Sequence, residues 1–217
     1  DTQCLVALSV KKSLCLAEAT VWQFHPNIDL LKDKLVSFQK EPLLISGTFT
    51  VPTFNDDNFR NFPEFGGGAF NDMSAYAVSI GRVLFEEIPS CVSGEIISYD
   101  DSSNINTGFS VTMEFTENRV IQGLFGFDLD YRNTLKIAGN GFEYELDRVF
   151  SPPPNVAINI KTKINKESTD EFCKGDPYLR FFKEILGTYN TKDRVQWSAR
   201  ILQDAELTNR LKLVITP

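Results

Sequence analysis

Apolar positions recur along this chain with two different periods, and the change of period marks the elements. Residues 2–12 read as the end of a helix, and residues 14–22 (LCLAEATVW) as a short buried strand. His25-Pro26 then breaks the chain. Ile28, Leu31, Leu35 and Phe38 fall at helical spacing with Lys and Asp between them, which predicts an amphipathic helix over 28–38. Over 43–51 the period drops to two. Leu43, Ile45, Phe49 and Val51 share one face, and Ser46, Thr48 and Thr50 the other, as in a half-buried strand. A polar and aromatic loop, 53–65, ends at Gly66-Gly67-Gly68. Ala69, Met73, Tyr76, Ala77, Ile80 and Leu84 then lie on one stripe of a helix.

After Pro89 the pattern is all strand. Phe109, Val111, Met113 and Phe115 alternate with polar residues, as do Phe142, Tyr144 and Leu146, then Val156, Ile158 and Ile160. Gly139-Asn140-Gly141 is a hairpin signal, because Gly and Asn tolerate positive φ. Pro152-Pro153-Pro154 separates two strands. Helical spacing returns at Tyr178, Phe181, Phe182 and Ile185, and a last helix is predicted over roughly 193–212. The fold class implied is α+β: a mostly antiparallel open sheet of about six strands with helices packed on one face. The other face is more polar, and either meets water or packs on a second sheet.

Composition narrows the partners. The 217 residues carry 42% hydrophobic and 24% charged side chains, an ordinary globular balance. The net charge of -7, with no Lys/Arg cluster, makes nucleic acid a poor partner. No apolar run reaches the roughly 20 residues of a spanning helix. The four cysteines are scattered without C-x-x-C spacing, so reduced thiols and a cytoplasmic setting are expected, with neither a metal site nor a disulfide framework. No signal peptide is visible, and a start at Asp1 rather than Met suggests a piece of a longer protein.

The sharpest chemical feature is the run Gly66 to Tyr76. Glycines at a helix start would let a flat ligand approach the backbone, and free N–H groups there favour negative charge. Asp72 and Tyr76 stand four apart on the first two turns, and a phenol beside a carboxylate can donate a proton to a developing alkoxide. The same pattern is compatible with turn glycines, a core Tyr and an Asp that complements the helix dipole. His25, the single histidine, is either a ligand contact at the exit of a strand or a capping residue. Arg60 either clamps an anionic or hydroxylic ligand or pairs with Asp56, Asp57 or Glu64. Asp128, Asp130, Tyr131, Arg132 and Asn133 read as a solvated strand end. Glu143, Glu145 and Asp147 read as one wet strand face. No Ser/His/Asp arrangement, P-loop or zinc pattern is present.

Taken together, these residues resemble the Gfo/Idh/MocA-type NAD(P)-dependent oxidoreductases. The run EATVWQFHPNIDLLKDKL is similar to the junction where the nucleotide-binding half leads into the catalytic half. Glu18, Ala19, His25 and Pro26 match there, and Gln23 replaces the usual Arg. Arg60, the three glycines, Ala69, Asp72 and Tyr76 match the family's segment before and after its glycines, with Ser74 in place of a Gly. The run YRNTLKIAGNGFEYELDRVFSPP looks like the family's central strands.

The resemblance implies that residues 1–23 are the tail of a dinucleotide-binding domain and 24–217 a catalytic and oligomerisation domain. It implies hydride transfer, with NAD or NADP, to or from a sugar or sugar-nucleotide carbinol or ketone. Tyr76 would supply or accept the proton, with Asp72 lining the same site. Arg60, His25, Gly67 and Gly68 would contact substrate, and Glu18 the cofactor. It also implies a homo-oligomer through the open sheet face. The family's glycine fingerprint and catalytic Lys segment do not occur in these 217 residues, so this chain alone is expected to be inactive. Rival readings are a non-catalytic relic that binds carbohydrate or mediates assembly, and an NTF2-like or lipocalin-like ligand binder, which fits the sheet but not the Gly–Asp–Tyr helix start.

Overall fold

A computed structural model of the chain describes residues 1–38 and 40–215. Helix α1 (Thr2–Lys11) is followed by an extended segment and a 3-10 turn (Val21–Phe24), then α2 (Pro26–Leu35) and a second 3-10 turn (Val36–Phe38). Strand β1 (Leu44–Thr50) leads through the aromatic loop into α3 (Ala69–Phe85). Then come β2 (Cys91–Asp100), β3 (Ile105–Glu114), β4 (Val120–Gly126), β5 (Arg132–Gly139), β6 (Phe142–Asp147), β7 (Ala157–Ile164) and β8 (Glu167–Lys174), and the chain ends on α4 (Pro177–Thr188) and α5 (Val195–Ile215).

The α+β expectation holds, with two corrections. The sheet has eight strands rather than about six, in the order β2-β3-β4-β1-β5-β6-β7-β8. The strands least visible in the sequence are its edges. Strand β8 is exposed along most of its length and β2 only half-buried, so neither shows a strong apolar alternation. Residues 14–22 are not a strand. Val21 and Trp22 are buried, but from a helical turn that packs under α3, and a short apolar run has the same signature in either role.

All strand pairings are antiparallel except β1 with β4. Along β1 the register places Phe49 beside Phe125 and Ile45 beside Ile121, so their rings and branches point to the same side. That side is covered by α2, α3 and α5, which join the strands in one apolar core. A second, smaller cluster of Val21, Phe24, Phe181 and Trp197 ties the opening residues to α4 and α5.

One loop residue organises the middle of the core. Phe150, between β6 and β7, is 1% exposed. Its ring lies 5.6 Å from Trp22, 5.9 Å from Phe49, 5.8 Å from Tyr76 and 5.8 Å from Phe125. The side chain of Asn133, itself buried, holds the loop. Its Oδ1 accepts from Phe150 N at 2.9 Å, and its Nδ2 donates to Ser151 Oγ at 2.8 Å. Asn133, expected at a solvated strand end, is therefore a structural residue, whereas Asp128, Asp130, Tyr131 and Arg132 are exposed.

Truncating Phe150 removes ring contacts to four elements at once. Phe150→Ala is expected to lower unfolding stability by about 3–5 kcal/mol, measured as a shift of the urea midpoint at unchanged slope. A loss below 1 kcal/mol would show that the surrounding rings hold one another without it.

Candidate active site

The loop before α3 folds back on its own glycines. Asn58 Oδ1 accepts from Arg60 N at 3.1 Å and starts a 3-10 turn, Phe59–Asn61. A second turn, Pro63–Phe65, ends at Gly66 with φ of 78°. Gly67 N then donates to Phe62 O at 3.0 Å, and Gly68 N to Arg60 O at 2.9 Å. A Cβ on Gly67 would meet Arg60 O at 2.5 Å. At Gly68, with φ of 102°, it would meet the Asn106 side chain at 3.1 Å. The close approach these glycines permit is thus made by the protein's own backbone and by Asn106. Both residues are buried, and the N–H groups of Gly67, Gly68 and Phe70 are already bonded, so the expected open, anion-ready helix start is corrected.

What the fold does bring together is Arg60, Asp72 and Tyr76. Arg60 Nε stands 2.9 Å from Asp72 Oδ2. The contact is an ion pair rather than a hydrogen bond, since the Nε–H is not aimed at the carboxylate and finds no acceptor. The guanidinium lies 4.5 Å from the centre of the Phe59 ring and 5.1 Å from that of Phe54. Stacking of this kind suits the flat, weakly hydrated guanidinium. Arg60 was expected to clamp a ligand or pair with Asp56, Asp57 or Glu64; it pairs with Asp72 on the helix.

Tyr76 stands one turn beyond Asp72. Its ring meets Phe49 edge-on at 5.1 Å and Phe150 at 5.8 Å, which fixes the side chain while leaving it half-buried. Among the described residues none hydrogen-bonds its hydroxyl. Burial pushes the phenol pKa up, the Asp72 carboxylate and the Tyr178 phenol add to that, and the Arg60 charge opposes it. The helix is tied to the opening residues at this point: Trp22 Nε1 donates to Ser79 Oγ at 3.0 Å, and Ser79 Oγ to Tyr76 O at 3.0 Å.

The other expected site residues lie elsewhere. His25 is fully buried and caps α2, its Nδ1 accepting from Asn27 N at 3.3 Å. No face of the imidazole is open to a ligand, so of the two roles considered, capping is the one the geometry supports. Glu18 joins a cluster on the far side of α3. There Arg82 binds Asp204 through two nitrogens at 2.8 and 2.6 Å and donates to Gln23 Oε1 at 3.1 Å. Burial raises the Glu18 pKa, helped by Asp204 and opposed by Arg82. Sequence reasoning missed Asn106 and Tyr178. Asn inside a strand was the available signal for the first, since strands are poor in Asn; for the second there was none.

Part of this chain is similar to known proteins. Residues 41–143, from β1 to the start of β6, match the model of the GFO/IDH/MocA C-terminal domain. A dTDP-3,4-didehydro-2,6-dideoxy-alpha-D-glucose 3-reductase of Saccharopolyspora spinosa is 29% identical over 166 residues, which is 75% of this chain and 50% of the relative. The enzyme of the same description from Streptomyces antibioticus is 26% identical over 163 residues, 71% of this chain and 48% of the relative. The chain therefore spans about half the length of the curated relatives it matches. A solved 3-ketoreductase from Actinomadura kijaniata, in complex with NADP and TDP-benzene, superposes with a TM-score of 0.84 at 17% identity, covering 100% of this chain and 68% of that one. That likeness is one of fold. Arg60, Asp72 and Tyr76 all lie within the stretch that matches the GFO/IDH/MocA C-terminal domain.

The buried His25 yields a pH test. Burial holds its pKa below the ordinary value, with the Asn27 hydrogen bond opposing and the Arg180 charge adding to the fall. The unfolded chain then binds the proton more readily, so the neutral imidazole stabilises the fold fully above about pH 6.5 and this contribution is lost as pH falls below it. His25→Asn keeps a cap acceptor without titrating. Between pH 7.5 and 5.5 its Tm is expected to fall less than that of the parent; parallel falls would show that His25 does not contribute.

Proposed function

We propose that this chain is the substrate-binding and catalytic half of an NAD(P)-dependent oxidoreductase that acts on a keto or hydroxy sugar, most readily one carried on a nucleoside diphosphate. The observation that carries the reading is the half-buried phenol of Tyr76, held by aromatic rings and set one turn from a carboxylate that is itself paired with Arg60. The matched family, the reductase relatives and the NADP complex of the structural neighbour support it. In this reading residues 1–23 are the tail of a dinucleotide-binding domain, with residues 24–217 forming the catalytic one.

The described residues do not form a cradle for the dinucleotide. The glycine step before α3 is where such a cradle was expected, and its Gly67, Gly68 and Phe70 N–H groups are spent on Phe62, Arg60 and Asn106. Glu18, the expected cofactor contact, lines a small pocket beside the Arg82–Asp204 pair. The cofactor would therefore be held by a further domain, and this chain's own part is on the substrate side. There Tyr76 Oη donates its proton to the oxygen of a carbonyl undergoing reduction. A phenol whose pKa is raised stays protonated at neutral pH, which suits the acid in a reduction better than the base in an oxidation. Asp72 disfavours the phenolate, and Arg60 moderates it through the ion pair. Oligomerisation through the sheet face left bare by the helices, where Ser46, Thr48 and Lys136 point, belongs to the same reading.

The chain alone is expected not to oxidise NADPH or NADH in the presence of a keto sugar nucleotide. It is expected to bind dTDP-glucose, with NMR shift changes at Arg60, Asp72 and Tyr76 that Arg60→Ala abolishes. In the enzyme containing both halves, Tyr76→Phe is expected to lower kcat by about a hundred- to ten-thousand-fold with little change in KM. Shift changes confined to other residues, or full activity without the phenol, would sink the proposal.

A further inference from the structure

We propose that Asn106, on β3, is the positioning residue that holds the first turn of α3 so that Asp72 and Tyr76 face one site. Its part in the reaction rests on the function proposed above; its structural action does not.

A helix ordinarily supplies its own cap from Ser, Thr, Asp or Asn at the N-cap. Helix α3 begins on Gly68, which has no side chain to do this. The acceptor comes instead from 36 residues away: Asn106 Oδ1 takes the N–H of Phe70 at 2.7 Å. The same side chain lies so near that a Cβ on Gly68 would be 3.1 Å from its Nδ2 and 3.3 Å from its Oδ1. The helix backbone therefore rests directly on the strand. Three residues along β3, Phe109 meets the Phe70 ring edge-on at 5.2 Å, a second attachment of the same turn. The loop side is fixed by Gly68 N on Arg60 O at 2.9 Å, so Arg60 is bound through its carbonyl to the joint and through its side chain to Asp72.

Loss of the Asn106 acceptor frees the Phe70 N–H, loosens the first turn and lets Asp72 leave both Arg60 and Tyr76. A neutral amide has a further merit. An aspartate at this position would cap equally well but would set a second carboxylate against the first turn of α3, which carries Asp72, disfavouring the phenolate of Tyr76 still more.

The test uses the 217-residue chain with two site-specific readouts. One is hydrogen exchange at the Phe70 amide. The other is the titration of Tyr76 followed by NMR of labelled tyrosine, its resonance identified by Tyr76→Phe. Asn106→Ala is expected to speed Phe70 exchange about tenfold and to bring the Tyr76 titration down toward the ordinary range, as the Asp72 charge moves away. Asn106→Asp is expected to keep the protection and move the titration up. Leu211→Ala, in α5, controls for general destabilisation and is expected to lower Tm while leaving the Tyr76 titration in place. If Asn106→Ala does not fold, Asn106→Asp decides alone. Unchanged exchange and titration in Asn106→Ala, an unshifted titration in Asn106→Asp, or an equal shift in Leu211→Ala would overturn the proposal. Activity of Tyr76→Phe in the two-domain enzyme, by contrast, would overturn the catalytic reading and leave the role of Asn106 in the fold standing.

Discussion

The crowding of aromatic rings around Phe150 sets where everything else can sit. Phe150 comes from a loop, yet it touches the sheet through Phe49 and Phe125, the opening segment through Trp22 and the helix through Tyr76. The Trp22 ring meets it edge-on and the Phe49 ring stacks on it, both arrangements that aromatic pairs favour. A loop residue can serve this way only if its backbone is fixed, and the buried amide of Asn133 does that from the neighbouring strand. The orientation of the Tyr76 phenol is thus set by packing on its apolar sides, with its hydroxyl left uncommitted. A rigid ring bearing a free polar tip is what proton transfer to a bound ligand requires.

Charge is arranged around that tip with similar economy. Asp72 stands beside the phenol, and Arg60 neutralises it from a loop whose aromatic side chains sandwich the guanidinium. The loop is short of ordinary secondary structure but not of bonds. Asn58 caps one turn, Gly67 and Gly68 return their N–H groups to it, and the result is a tight fold-back rather than a mobile flap. Two amide side chains, the partly buried Asn106 and the buried Asn133, lock the two flanks of the site, each accepting a backbone N–H across long sequence separation.

The periods of apolar residues disclosed α2, β1, α3, β3, β6 and the two closing helices, because each buries one face against a common core and so leaves a clean stripe. The edge strands β2 and β8 left a faint trace, since neither edge has much to bury. Residues 14–22 misled because bulk apolar content says what is buried and not in which conformation. At the site, spacing alone brought Asp72 and Tyr76 to the same side of a helix. The glycines invited the wrong inference about who occupies the space beside them. That question turns on Asn106 and on Arg60 and Phe62 carbonyls, and tertiary proximity of that kind leaves no periodic mark. His25 shows the converse: a motif position with a plain local duty at the head of α2.

The strand order carries one more consequence. Strands β2, β3 and β4 pair in succession, and so do β5 to β8, but β4 and β5 do not pair with each other; β1 lies between them. Each ribbon can zip from its own hairpins, whereas their union waits for a segment drawn from far upstream to slot in, parallel to one and antiparallel to the other. Closing loops of that span costs chain entropy before any contact repays it, so the pairing of β1 with β4 carries a loop-closure cost that the hairpins within each ribbon do not. The loop that carries Arg60 and the glycines follows β1, so its placement depends on that union.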